Sequence, residues 1–163
     1  LGTVVEPFAA ANPAHDAALR AMDNPTKWAA NETYLHGVTR MPVYAIRIGS
    51  ERWAKGNYFL AVFKTREEAL AAARVWAQRG EASLRLDEGL PTVWTEGGAP
   101  GNAVEGLHVV EVEPGVVVMD SAIKEQAEGS QSSAPFIYPG GALQIILTDT
   151  TRMRGLDFVP VGR

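Results

Sequence analysis

Two polar side chains stand in runs that are otherwise apolar, and both have donors suited to holding a ligand. Gln144 interrupts Ala142–Thr148, with Leu143, Ile145, Ile146 and Leu147 around it. Its amide carries donors and an acceptor that all need partners. Arg47 interrupts Val43–Ile48 in the same way. A guanidinium there is costly unless something anionic meets it, and its fork matches a phosphate or pyrophosphate. Each has a plain alternative. Gln144 fits a core amide bonded to a neighbouring loop, and Arg47 fits an edge-strand side chain reaching water or a local acid. Tyr44, Trp53, Tyr58 and Phe59 lie close to Arg47 in sequence. Most of them read as core, and one or two could form a flat wall for an aromatic ligand.

Other chemistries find little support. The three histidines, His15, His36 and His108, are far apart and match no metal-ligand spacing, so no metal site is expected. There is no G-x-S-x-G elbow, and the glycine pairs at 97–98 and 140–141 lack the Lys-Ser/Thr of a phosphate loop. No G-x-G-x-x-G or repeating βαβ pattern points to a Rossmann site. Asp120, Glu125 and Gln126 are second-rank candidates, and a solvated loop accounts for each of them.

Positioning these residues requires strands. Val43–Ser50 alternates, with Tyr44, Ile46 and Ile48 on one face and Val43, Ala45 and Arg47 on the other. Gly56–Phe63 reads as a second strand. Residues 106–120 read as two strands broken at Pro114-Gly115, and Ala142–Thr148 and Leu156–Gly162 as the last two. In Ala142–Thr148 the alternation sets Gln144 with Ala142 and Ile146, away from Leu143, Ile145 and Leu147. The clearest helix follows Thr65, where Thr65 and Glu68 fit a capping box and Gly80 marks the exit. Asn12-Pro13 and Asn24-Pro25 fit the starts of two short helices over residues 12–37. Residues 86–102 and 124–141 read as loops, the first rich in Gly and Pro and the second polar. Helices, strands, one helix and then strands imply an α+β fold with a split or mostly antiparallel sheet and N-terminal helices.

The 163 residues are 46% apolar and 21% charged, as expected for a single globular domain over 1–163. The formal net charge of −4 leaves no basic footprint for nucleic acid. Without cysteine there is no disulfide framework or cysteine-zinc site. No apolar run reaches the length of a membrane span. The first residue is Leu1, which suggests the C-terminal part of a larger chain.

The order of these motifs resembles the ADP-ribosyltransferase-like toxin fold. "VYAIRIGSERWAKGNYFLAVF" is similar to its opening, a strand arginine followed by a loop and a Gly-aromatic-aromatic strand. Residues 90–130 are similar to its middle, and "YPGGALQIIL" resembles the closing signature of the NAD glycohydrolase branch, where a Gly-Gly turn leads to a strand with a functional glutamine. The resemblance spans about Pro42 to Thr148, as an order of motifs rather than aligned identity. Two departures are specific. Leu60 stands where the family often has Thr or Ser after the aromatic pair. Gln144-Ile145-Ile146 has no glutamate two places on, unlike Gln/Glu-x-Glu transferases, which disfavours transfer to a macromolecule.

The resemblance implies an NAD(P)+ glycohydrolase toxin domain that releases nicotinamide, with NAD or NADP as substrate and no separate cofactor. Gln144 would be catalytic, orienting the ribose or the attacking water. Arg47 would clamp the pyrophosphate, and Tyr58 or Phe59 would stack on nicotinamide. The alternatives are a mono-ADP-ribosyltransferase of the same fold and a non-enzymatic binding module. The resemblance further implies a secreted or delivered effector acting in a target-cell cytoplasm, with a cognate immunity protein as partner.

Overall fold

The computed structural model describes residues 8–9, 34–88, 90–92, 103–122, 126–127, 137–138 and 142–162. Its elements are β1 (Phe8–Ala9), β2 (Tyr34–Thr39), β3 (Val43–Gly49), β4 (Tyr58–Phe59), β5 (Ala61–Phe63), α1 (Arg66–Ala77), α2 (Glu81–Glu88), β6 (Gly106–Val112), β7 (Val117–Ala122), β8 (Gln126–Ala127), β9 (Ile137–Tyr138), β10 (Leu143–Leu147) and β11 (Met153–Pro160). A short 3-10 turn, Thr150–Arg152, precedes β11. The strands form a five-stranded sheet, β1-β2-β7-β10-β4, a four-stranded sheet, β11-β6-β3-β5, and the small β8-β9 pair. Every described pairing is antiparallel. The fold is α+β with mostly antiparallel sheets.

Alternation along β3 divides the interior into two layers. Val43 and Ala45 join Val110, Val112 and Met153 against Phe59, Val118, Ile145 and Leu147 of the other sheet. Ile46, with Leu107 and Val109, faces Ala69, Ala73 and Ala77 of α1 and Leu84 of α2. Small alanines on α1 let the helix lie close on the sheet. Its start is fixed by Thr65, whose hydroxyl accepts from the Glu68 N–H at 3.2 Å. Gly80 takes the left-handed φ of +84° needed after the helix exit.

The apolar stretch Tyr58–Phe63 is not one strand. It breaks at Leu60, whose N–H bonds the Ile46 carbonyl at 2.7 Å. Before the break β4 pairs with β10 in one sheet, and after it β5 pairs with β3 in the other. Phe59 enters the layer between the sheets and Leu60 the layer under the helices. The corner therefore needs an apolar residue at 60, which accounts for the leucine.

Three other expectations are corrected. Residues 34–37, expected as the end of a helix, belong to strand Tyr34–Thr39, because β7 offers it a paired partner over Val117–Asp120. Leu86–Glu88 is the end of α2 rather than loop. Gln126–Ala127 and Ile137–Tyr138, expected within one polar loop, pair with each other as β8 and β9. The helices expected over residues 12–33 and the glycine pairs at 97–98 and 140–141 lie outside the described residues. No helix among the described residues is long and apolar enough to cross a membrane.

Candidate functional site

Arg47 is neither on an edge strand nor in a salt bridge with any described residue. β3 lies between β6 and β5, and parity turns Arg47 toward the space between the sheets, in register with His108. The loop Ser50–Asn57, which carries the chain from β3 to β4, closes over the guanidinium. Nη1 donates to the Trp53 carbonyl at 2.8 Å. The group lies in a slot walled by glycine backbone. A Cβ on Gly56 would sit 2.6 Å from Nη2, and one on Gly49 would sit 3.1 Å from Nη1. Nε is buried with no hydrogen-bond partner among the described residues. Burial lowers the Arg47 pKa, so the charged form is held there against desolvation.

The loop over this slot is tied at both ends. His108 Nε2 lies 2.7 Å from the Ser50 carbonyl. A carbonyl can only accept, so Nε2 carries the proton. Burial lowers the His108 pKa, the Ser50 bond opposes that and the Arg47 charge reinforces it. The Phe158 ring packs on the imidazole with centroids 4.7 Å apart. At the other end Asn57 makes a reciprocal pair with Leu147 of β10: the Leu147 N–H to the Asn57 carbonyl at 2.9 Å, and Asn57 Nδ2 to the Leu147 carbonyl at 2.8 Å.

Gln144 is 4% exposed. Ile145 and Leu147 turn into the layer between the sheets, so Gln144 and Ile146 take the opposite face of β10. Tyr58 pairs with Ile146 and shares that face, whereas Phe59 pairs with Ile145. Phe59 is 2% exposed, packed between the sheets, and gives no ring face to a ligand. Of the two aromatics expected to stack, geometry leaves Tyr58. The sequence-predicted residues thus fall into two groups, Arg47 under the Ser50–Asn57 loop, and Tyr58 with Gln144 on the face of the five-stranded sheet turned away from the β3 sheet, where Gln144 and Ile146 are buried. Leu147 separates them, three residues from Gln144 and bonded to Asn57, a distance of about 10 Å along the strand.

Trp53 departs from the expectation of a core aromatic. It is 65% exposed, with the Arg52 guanidinium 5.6 Å from its ring centroid. Charge along 47–57 marks the segment in retrospect, since Arg47, Arg52 and Lys55 face only Glu51 as a carboxylate. A shallow cavity of about 190 Å³ lies at the other end of the β3 sheet, lined by Glu111, Glu113, Thr151, Arg152, Met153 and Arg154. Both of its arginines are paired, Arg154 with Glu111 and Arg152 with Asp149. Among the described residues no three His, Cys, Asp or Glu side chains come together as a metal site.

Comparison with known protein families, with curated proteins and with solved structures finds no match to this chain.

Proposed function

We propose that the chain is an NAD(P)+ glycohydrolase domain of the ADP-ribosyltransferase-like toxin type, binding the dinucleotide through Arg47 and releasing nicotinamide. The observation that carries the binding half is the Arg47 slot, a largely buried cation with glycine walls, an orphaned Nε and no carboxylate among the described residues. A buried charge in that condition is stabilised by an anion, and a guanidinium fork suits a pyrophosphate. The catalytic half rests on the motif order from Pro42 to Thr148 and on Gln144 and Tyr58 sharing one face of the five-stranded sheet.

In this reading Arg47 holds the pyrophosphate at the start of β4, and the nicotinamide riboside extends past the two-residue edge strand toward Tyr58 and Gln144. Nicotinamide leaves through an oxocarbenium-like state, so the protein's task is orientation of the ribose and of water. Tyr58 stacks on the leaving ring, and the Gln144 amide orients the ribose or the attacking water without needing a tuned pKa. Delivery to a target-cell cytoplasm and a cognate immunity protein belong to the same proposal.

A second reading, a non-enzymatic nucleotide-binding module, is favoured by one observation: Gln144 and Arg47 face opposite ways from their sheets. Incubation of the purified domain with NAD, then NADP, separates the readings. Hydrolysis predicts free nicotinamide and free ADP-ribose, with Gln144→Ala folded and at least tenfold slower. ADP-ribose attached to lysate macromolecules would favour transfer instead. A melting temperature raised by NAD without nicotinamide release would leave the binding module.

A further inference from the structure

We infer that Trp53 is the platform on which the adenine base of the dinucleotide stacks, an inference that rests on the proposed Arg47 site. Trp53 is the most exposed large hydrophobic side chain among the described residues, at 65%. Its own carbonyl accepts the Arg47 Nη1 bond, so covalent geometry keeps the indole within about 9 Å of the guanidinium. An anion-receiving cation and a bare flat ring at that separation match a phosphate and a base joined by one ribose.

The loop presents this ring on a fixed frame. Ser50 is tied to His108 and Asn57 to Leu147. Between them Ala54 lies so close to β11 that a Cβ on Gly155 would fall 2.6 Å from the Ala54 Cβ. A pre-ordered aromatic costs little further entropy when a base stacks on it. Arg52 lies over the ring at 5.6 Å, yet the ring stays mostly bare, so a face remains for a second flat group.

Charge selects which base. In the oxidised dinucleotide the nicotinamide ring is cationic and adenine is neutral. Arg47, Arg52 and Lys55 against Glu51 make this loop positive. A cationic ring is repelled there, and a neutral purine attached to phosphates is not. The adenosine half therefore belongs at Trp53, leaving the nicotinamide half for Tyr58 and Gln144.

Calorimetric titration with ADP-ribose, nicotinamide mononucleotide and inorganic pyrophosphate tests this on wild type, Trp53→Ala and Trp53→Phe. Trp53→Ala should weaken ADP-ribose about tenfold, the loss of one stacked base. It should leave pyrophosphate and nicotinamide mononucleotide within twofold, and Trp53→Phe should recover most of the ADP-ribose affinity. Unchanged ADP-ribose binding by Trp53→Ala overturns the inference and leaves the Arg47 reading standing. A parallel loss of pyrophosphate overturns it too, because Trp53 would then act only by holding the loop over Arg47. If wild type binds neither ADP-ribose nor pyrophosphate, the functional reading falls and the Trp53 assignment with it.

Discussion

Arg85 on α2 and Arg47 on β3 are both arginines drawn into the protein, and their surroundings differ in kind. Arg85 is 9% exposed and fully engaged. Its Nε and Nη2 meet Glu81 Oε1 at 3.0 and 2.9 Å, and Nη1 donates to the Leu90 and Pro91 carbonyls at 3.0 and 3.2 Å. It fastens the chain leaving α2 to the helix itself. Arg47 has one carbonyl partner, an orphaned Nε and no described carboxylate. A cation that holds structure together carries its counter-charge with it, and a cation that receives a ligand does not. The contrast marks Arg85 as a scaffold arginine and supports the proposed ligand-binding role of Arg47.

Breaking the scaffold side should have the largest effect. Arg85→Ala leaves the Leu90 and Pro91 carbonyls without that donor and removes the Glu81 pair. We expect a loss of about 2–4 kcal/mol in urea unfolding, with unchanged slope. An unaltered midpoint would remove the distinction between the two arginines. The binding side should respond oppositely. Arg47→Met trades an under-partnered charge for an apolar chain and loses one loop bond, so unliganded stability should stay within about 1 kcal/mol of wild type.

The smallest effect sharpens the description of α2. Burial, reinforced by Asp87 and opposed by Arg79, pushes the Glu88 carboxyl up to about 8. Arg79 is meanwhile paired with Asp87. The folded state binds a proton at Glu88 that the unfolded state, near the ordinary 4.5, releases. The stability this gives is complete below about pH 4.5 and is lost as pH rises to about 8. Glu88→Gln should flatten that part of the profile and melt about 2 °C or more above wild type at pH 8.5. Matching profiles from pH 4.5 to 8.5 would show that Glu88 ionises freely in the fold.

What the sequence made legible was local. The Thr65 N-cap of the expected capping box, the alternation of β3 and the Pro114-Gly115 break all reappear, because each is decided within a few residues. The alternation of β10 placed Gln144 opposite Ile145 and Leu147 correctly. Which way that face looks depends on a sheet assembled from residues far apart in the chain. β2 was missed because its strand state is conferred by pairing with β7. The break at Leu60 was missed because Tyr58–Phe63 is apolar throughout and nothing local marks a change of sheet. Phe59 read as a ligand wall for the same reason. Arg47 stood out as an arginine in an apolar strand, but its glycine slot required Gly49 and Gly56 to meet it in space.

We propose that the Arg47 slot receives the pyrophosphate of a dinucleotide. Its most direct test is calorimetric titration of ADP-ribose into wild type and Arg47→Met, with unliganded melting recorded for both. We expect saturable binding by wild type, at least tenfold weaker binding by Arg47→Met, and little change in unliganded melting. Equal affinity in the two proteins, or an Arg47→Met that melts far below wild type as Arg85→Ala should, would contradict it.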